Sequence, residues 1–203
     1  MERSRLFPGI LLALIAHVPL CTAENAERVT DIRKFLNTSE AIWTTRKTFD
    51  ATDLGMRCKM DIRNSSTLYT INFTRFNLET RTRWKEVQLV GEFGIWGANA
   101  SKPDDLHDEM EVKQVIQQYR RTTGLRWIST EVLEHSTEDM TCGVFTVISF
   151  LGVTQKFSLE LRVKNSSVHA IPEECSEVFK RKIQHRQRPR KVYWPQCQDI
   201  LKD

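Results

Sequence analysis

The sequence predicts an all-β protein, an eight-stranded antiparallel up-and-down barrel with a short N-terminal helix and a C-terminal helix. Short apolar segments rich in Val, Ile, Phe and Thr follow one another at nearly regular spacing. Turn residues connect these segments, without the long helical connections that parallel strands need. Such strands close into a barrel, which leaves no edge strand exposed. An eight-stranded barrel has room for one small ligand.

The first 23 residues are expected to be a secretory signal peptide. Arg3 and Arg5 precede a mostly apolar run, which ends at a small-residue cleavage site at Ala23. The run is short for a membrane span, which needs about 20 residues, so we expect a secreted, extracellular protein without a membrane span. Residues 24–203 then form one domain, divided into an N-terminal helix segment at 24–40, the barrel at 41–164, a helix at 170–186 and a basic, then disulfide-anchored tail at 187–203.

The N-terminal helix is expected at Ala26–Leu36, because Val29, Ile32 and Phe35 recur at helical spacing. The segment Met110–Tyr119 fits a helical period better than an alternating one, but the close spacing of its neighbours favours a strand. The other early strands are expected at Ile42–Phe49, Gly55–Arg63, Thr67–Phe76, Trp84–Phe93 and Gly124–Glu134, with a turn at 64–66 and a loop at 94–108.

The last two strands are expected to form a hairpin between two cysteines, Cys142 and Cys175. The apolar runs Gly143–Leu151 and Thr154–Val163 are separated by a short connection centred on Gly152. A helix at Pro172–Arg186 follows, with proline early and carboxylates in its first turn. A disulfide between the two cysteines would fasten this helix to the hairpin.

Four cysteines remain after removal of the signal peptide, which indicates two disulfides in an oxidising compartment. They are Cys58, Cys142, Cys175 and Cys197, and the sequence leaves three pairings open. Five N-glycosylation sequons predict a glycosylated surface, with acceptors at Asn37, Asn64, Asn72, Asn99 and Asn165. A glycan on Asn72 would turn Tyr69, Ile71, Phe73 and Arg75 of the same strand inward.

No pattern of catalytic or metal-binding residues stands out. The sequence has no CxxC or His-rich spacing typical of zinc and no GxSxG motif beside its histidines. We therefore expect a monomeric protein that is not an enzyme and has no metal or other cofactor. The formal net charge is +4, and seven basic residues without an acid lie between Lys180 and Lys191. We interpret this basic run as a solvated surface; a polyanion or an anionic membrane is the alternative, and nucleic acid is not expected.

The order of elements, the tryptophan in the first strand (Trp43) and the cysteine set resemble the tick salivary lipocalins of the histamine-binding group. The resemblance covers nearly all of the mature chain. It implies the disulfides Cys58–Cys197 and Cys142–Cys175, and it implies that Trp43 packs at the base of the barrel.

Amine-binding members of that group carry Cys-Asp-[Val/Ile/Leu], then Glu-Leu-[Trp/Tyr], then Cys. This chain keeps Cys142, Glu160 and Cys175 but has Gly143 in place of Asp and Arg162 in place of the aromatic residue. An amine site needs a buried carboxylate and an aromatic face. The resemblance places Glu160, Arg162 and Phe145 in the cavity. By alternation alone, however, the apolar face of that strand would point inward, and Glu160 and Arg162 would face solvent.

The resemblance implies a secreted protein that sequesters a small host mediator during blood feeding and so suppresses inflammation or haemostasis. A biogenic amine, histamine or serotonin, is the first expectation, because Glu160 is retained. The alternatives are a lipid mediator (leukotriene, thromboxane or sterol), for which Arg75 and Arg162 would supply cations, and a protein-binding inhibitor such as one of complement. The expected ligand-binding residues are Glu160, Arg162, Trp43, Tyr69, Phe73, Phe145 and Arg75.

Overall fold

The structure, a computed structural model, describes residues 31–49, 57–80, 83–98, 102, 104–117, 123–183 and 187–202. The expected signal peptide, the part of the N-terminal helix segment before Asp31 and the sequon at Asn99 lie outside the described residues. The first helix, α1, covers Ile32–Leu36. The strands are β1 Ile42–Phe49, β2 Arg57–Ser66, β3 Thr70–Leu78, β4 Trp84–Gly94, β5 Glu109–Gln117, β6 Thr123–Ser136, β7 Cys142–Leu151, β8 Thr154–Lys164 and β9 Arg188–Lys191; the second helix, α2, covers Glu173–Lys182, and 3₁₀ helices lie at Asn165–Ser167 and Pro195–Leu201.

The strands form a closed antiparallel barrel. Each strand from β2 to β7 pairs with the next one along the chain, and β1 pairs with both β8 and β2. The predicted eight-stranded up-and-down barrel is therefore confirmed. The segment at 109–117 is a strand, as the spacing of its neighbours favours, because it pairs along its length with β6.

The ninth strand, β9, lies in the basic run between Lys180 and Lys191, for which the sequence predicts a solvated surface. Strand β1 pairs with β2 only at Ile42 and Trp43, so the rest of its edge is open to another partner. Strand β9 fills that edge, with Phe49 opposite Arg188, and the carbonyl of Val192 accepts a 2.8 Å hydrogen bond from the N–H of Cys58. The C-terminal segment thus bridges β1 and β2 beyond their direct pairing.

The predicted turn at 64–66 is wrong, because these residues are the end of β2. Ser65 pairs with Asn72 and Ser66 with Ile71, so the turn falls at 67–69. The hydroxyl of Thr67 accepts hydrogen bonds from the N–H groups of Tyr69 and Thr70 at 3.2 and 3.0 Å. A Thr side chain that bonds the backbone two and three residues ahead is typical of a turn.

Helix α2 packs on the outer surface of β7 and β8. Its residues Cys175, Val178 and Phe179 are buried against the outward side chains of both strands. Two disulfides fix the ends of the chain: Cys142–Cys175 joins α2 to β7, and Cys58–Cys197 joins β2 to the last 3₁₀ helix. This is the pairing that the resemblance implies. The helix ends at Lys182, four residues earlier than the sequence suggests.

Helix α1 closes one end of the barrel. Asp31 caps it, accepting a 3.0 Å hydrogen bond from the N–H of Arg33, and Ile32, Phe35 and Leu36 enter the interior core. We call this the closed end and the opposite end, where β7 turns into β8, the mouth. No helix among the described residues is both long and apolar enough to span a membrane.

Candidate functional site

The half of the lumen next to the closed end is filled by the protein's own side chains. The rings of Phe35 and Phe145 meet edge to face, 5.3 Å apart, within a cluster that β3 to β7 complete. A residual cavity beside Ile42, Ile71 and Phe73 holds only about 10 Å³, the room of one water molecule. The room for one small ligand that an eight-stranded barrel can have is therefore not found in this half of the lumen.

Six charged side chains lie in the interior at the middle of the barrel. No more than 8% of the surface of any of them is exposed. We call this group the charge network; its members are Lys59, Asp61, Arg75, Glu131, Glu160 and Arg162. Charges this deeply buried persist only when each is paired and hydrogen-bonded.

Two guanidinium groups hold the network together, and both bind Glu131. Arg75 donates from Nε to Asp61 Oδ1 at 2.7 Å and from Nη1 to Glu131 Oε1 at 3.0 Å. Arg162 donates from Nη1 to Glu131 Oε2 at 2.6 Å and from Nη2 to Glu160 Oε2 at 2.7 Å. Each carboxylate therefore has at least one charge-assisted hydrogen bond.

Glu160 has the most cationic neighbours. Lys59 Nζ donates to both of its oxygens, at 2.9 and 2.7 Å, and Lys47 Nζ lies 3.6 Å from Oε1. Arg162, the third cation, also covers the ring of Phe145, with its guanidinium carbon 4.4 Å from the ring centroid. The carboxylate and aromatic face that an amine ligand would need are thus occupied by side chains of this chain.

The pKa values of the network follow from burial and pairing. Burial alone raises the pKa of the Glu160 carboxyl, but Lys59 and Arg162 outweigh it, and the pKa lies well below its ordinary value. Burial likewise raises the pKa of the Glu131 carboxyl, but the charges of Arg162 and Arg75 lower it by more, so this pKa is also depressed. Burial and then the charge of Arg75 lower the pKa of the Lys59 ammonium to about 8.

The packing of α2 explains why Glu160 and Arg162 face the lumen. In β8 the apolar residues Leu159, Leu161 and Val163 are buried beneath α2, outside the barrel. The polar face must then point inward, where Glu160 pairs with Phe145 across to β7. Alternation correctly separates the two faces, but the apolar face is covered by a helix on the outside. The orientation that the resemblance implies is the one observed.

Both departures from the amine-binding pattern have a structural cause. A Cβ on Gly143 would lie 3.0–3.1 Å from Phe145, Leu133 and Phe35, so the volume of the expected Asp is filled by aromatic and aliphatic groups. Arg162, in place of the aromatic residue, supplies cations to Glu131 and Glu160. In this chain the two positions therefore contribute to the packing of the lumen and to its internal ion pairs.

Above the charge network several of the inward positions are polar or basic. By register, Lys156 shares its face with Ser149, two residues beyond inward-facing Val147, and Arg126 shares its face with Gln114 and Leu89. Arg126 Nη2 donates to Gln114 Oε1 at 2.6 Å. The basic residues at inward positions from the network to the mouth include Lys47, Lys59, Arg75, Lys85, Arg126, Lys156 and Arg162. This half of the lumen is electropositive.

The other residues expected in the site divide into two groups. Phe73 and Arg75 lie in the interior, as the Asn72 argument predicts. Tyr69 does not: it lies in the β2–β3 turn, and 53% of it is exposed. Trp43 lies outside the lumen, where it packs against Tyr193 with ring centroids 5.2 Å apart and donates to Asn165 Oδ1 at 2.9 Å.

Sequence reasoning missed half of the charge network, namely Lys59, Asp61 and Glu131. A usable signal exists in β2, where Lys59 and Asp61 alternate with Cys58, Met60 and Ile62. Cys58, Met60 and Ile62 pack outward, against Trp43 and the C-terminal segment. Strands β2 and β8 are alike in this respect. In both, the charged side chains face the lumen and the apolar side chains are buried outside the barrel against another segment of the chain.

A second cavity, of about 470 Å³, lies at the closed end between α1 and the β2–β3 turn. It is lined by both polar and apolar side chains, including Arg33, Lys34, Leu68 and Phe93. Arg33 is bound to Asp31 at 2.6 Å. Among the described residues, no group of three His, Cys, Asp or Glu side chains is placed to hold a metal ion.

No family model and no curated protein matches this sequence. Among solved structures, apocrustacyanin C2 matches with 10% identity over 83% of each chain and a TM-score of 0.51. Lobster apocrustacyanin A1 has 9% identity over 79% of this chain and 78% of its own, with a TM-score of 0.47. Japanin from Rhipicephalus appendiculatus, bound to cholesterol, has 11% identity over 77% and 94%, with a TM-score of 0.45. The likeness to apocrustacyanin C2 shows the fold and not a subfamily: this chain has the lipocalin fold.

Proposed function

We propose that this protein binds a small amphipathic molecule with an anionic head group in the mouth half of its barrel. The head group would lie against Lys47 and Lys59, and the apolar body against inward side chains such as Val87 and Ile128. The observation that supports this proposal is the charge distribution of the lumen. Its carboxylates are already paired within the network, whereas basic residues continue upward to the mouth.

An amine is a poorer fit to this lumen than a carboxylate or another anion. To bind Glu160, an ammonium would have to displace Lys59 or Arg162, and each displaced cation would lose a charge-assisted bond in a buried site. An anion beside Lys47 would remove no cation from Glu160 and would compensate the excess of positive charge towards the mouth. Of the expected mediators, those with a carboxylate and an apolar chain, such as a leukotriene or a thromboxane, match best.

The biological role that follows is sequestration of such a mediator outside the cell. The two disulfides are compatible with an oxidising, extracellular location. A scavenger needs affinity and abundance, and no catalytic group is required. We therefore propose a secreted carrier or scavenger of an anionic lipid mediator, with histamine and serotonin as the competing ligand class.

Titration calorimetry of the mature protein tests this proposal. The ligands are a long-chain fatty acid, the alkylamine of the same length, histamine, serotonin, a leukotriene and a sterol. We expect the carboxylates to bind with a Kd below about 1 μM and the matched alkylamine to bind far more weakly. Tighter binding of the alkylamine or of histamine would contradict the proposal.

Lys47→Gln is the informative variant, because Lys47 lies at the upper edge of the network with its side chain partly exposed. Loss of one charge-assisted contact should weaken carboxylate binding roughly tenfold. Lys34→Gln is the matched control, since Lys34 is an exposed lysine on α1 at the closed end. Equal effects of the two variants would show that the carboxylate does not bind beside Lys47.

A further inference from the structure

Apolar side chains are exposed on the outer surface at the mouth, around the β7–β8 turn. Val153 at the turn is 98% exposed, and about half of the surface of Phe150, Phe157 and Leu125 is open to solvent. The ring of Trp127 lies beside that of Phe150, with centroids 5.4 Å apart. We call these five residues the mouth patch.

The mouth patch lies on strands that α2 does not cover at this end. Helix α2 buries the closed-end half of β7 and β8, from Cys142 to Val144 and from Leu159 to Val163. Beyond Leu159 the outward residue Phe157 is half exposed, and on β7 Phe150 is also half exposed. Scattered exposed apolar residues are ordinary on protein surfaces. Here two aromatic side chains are in contact and an exposed apolar turn residue lies three positions from one of them, so the apolar residues are clustered and not scattered.

The surroundings of the mouth patch are basic. Within the ranges 123–130, 148–159 and 187–191 there is no acidic residue. The basic residues of these ranges are Arg126, Lys156, Arg188, Arg190 and Lys191. Strand β9, which carries the last three, is separated from β8 only by β1, a distance of about 10 Å. The side chain of Gln187 donates to the carbonyl of Phe157 at 3.3 Å and joins the two regions.

The sequons of the described chain lie at the other end of the barrel. Asn37 follows α1, Asn165 follows β8, and Asn64 and Asn72 lie where β2 turns into β3. All four positions are at the closed end. Glycans on the exposed acceptors, Asn37, Asn64 and Asn72, would leave the mouth patch uncovered.

We propose that the mouth patch and its basic surroundings dock the protein on an anionic phospholipid surface, with the mouth facing the membrane. Tryptophan, phenylalanine and valine would enter the interfacial region, where aromatic side chains are favoured. The basic residues would contact the anionic head groups, each contributing to binding in a salt-dependent way. An anionic polysaccharide would use the same cations but would leave the apolar side chains in water, so the patch favours a membrane.

Co-sedimentation with vesicles tests this inference independently of any ligand in the lumen. Wild-type protein should bind vesicles of phosphatidylcholine mixed with phosphatidylserine and remain in the supernatant with phosphatidylcholine alone. Two double variants divide the surface, Phe150→Ser with Val153→Ser for the apolar part and Arg188→Gln with Arg190→Gln for the basic part. Each should lower the fraction bound to the mixed vesicles roughly tenfold or more.

The matched controls lie at the closed end, where Leu68 is also largely exposed and Lys34 is a surface lysine. Leu68→Ser and Lys34→Gln should bind the mixed vesicles like the wild type. If the arginine variants lose binding while the Phe150 and Val153 variants keep it, the surface recognises polyanions in general and the membrane proposal is wrong. Absence of wild-type binding to the mixed vesicles, or equal losses in the closed-end controls, would overturn it as well.

Discussion

Gly143 shows how one residue changes the chemistry of the lumen. The nearest carbons of Phe35, Leu133 and Phe145 lie 3.0–3.1 Å from where a Cβ would be, a separation at which the neighbours must move. The aspartate that the amine-binding pattern requires therefore cannot enter this core without displacing α1 or Phe145.

We predict that Gly143→Asp destabilises the protein by more than about 3 kcal/mol, since overpacking alone costs about 1–3 kcal/mol and the new carboxylate is buried. Gly143→Ala, which adds only the Cβ, should cost about 1–3 kcal/mol. Urea unfolding measures both free energies. A stable Gly143→Asp protein that binds histamine would show that an amine site can still form here.

Glu131 is the residue on which both arginines of the network depend. Its replacement by leucine leaves Arg75 and Arg162 without their shared carboxylate in a fully buried site. We predict a loss of about 3–5 kcal/mol in the free energy of unfolding. Glu86→Gln, on the exposed surface of β4, is the control and should change it by less than about 0.5 kcal/mol. Similar values for the two variants would mean that the network is not the stabilising arrangement described above.

Lys59 should make the proposed binding of an anion depend on pH. Its ammonium has a pKa of about 8 in the folded protein because of burial and the nearby Arg75. A lowered pKa means that the folded protein loses this positive charge as the pH rises through about 8, whereas the unfolded chain keeps it to higher pH. We predict that affinity for an anionic ligand falls between pH 7 and pH 9, and that Lys59→Gln removes this change. Calorimetry across that range measures it; a pH-independent affinity of the wild type would exclude Lys59 from the head-group site.

The inward orientation of Glu160 and Arg162 could not be settled from β8 alone. Alternation assigns residues to two faces, and the apolar face is ordinarily the inner one. Here Leu159 and Leu161 are buried outside the barrel, under Phe179 of α2. The decisive information is therefore long-range: it is the docking of a helix that begins nine residues after β8 ends.

At the scale of elements, the strands were predictable because their apolar and β-branched residues follow one another at regular spacing. The hairpin β7–β8 has nearly the predicted bounds. The basic strand β9 was not predictable, because Arg188, Pro189 and Arg190 have little intrinsic preference for a strand. It forms because the half of β1 nearer the mouth has an edge that β2 does not pair with, and because the Cys58–Cys197 disulfide holds the C-terminal segment close to that edge.

The two disulfides should contribute unequally to stability. Cys142–Cys175 spans 33 residues and Cys58–Cys197 spans 139. On the chain-entropy model they stabilise the fold by about 4 and about 5 kcal/mol, respectively. We predict that the Cys58→Ala, Cys197→Ala protein unfolds at lower urea concentration than the Cys142→Ala, Cys175→Ala protein. The opposite order would show that the anchoring of α2, and not the loop length, dominates.

Across the whole molecule, the two ends of the barrel have different chemistry. The closed end carries α1 and the described sequons, and its interior is tightly packed. The middle holds a self-compensated charge network, and the mouth half is basic inside and both basic and apolar outside. A ligand and a membrane would both meet the protein at the mouth.

The location of a bound ligand tests the central claim most directly. A crystal structure with a fatty acid brominated at the end of its chain reports both ends of the ligand, the bromine by anomalous scattering. We predict the carboxylate beside Lys47 and Lys59 and the bromine towards the mouth. A fatty acid found only in the closed-end cavity beside Arg33 and Lys34, or only on the outer surface, would contradict the account.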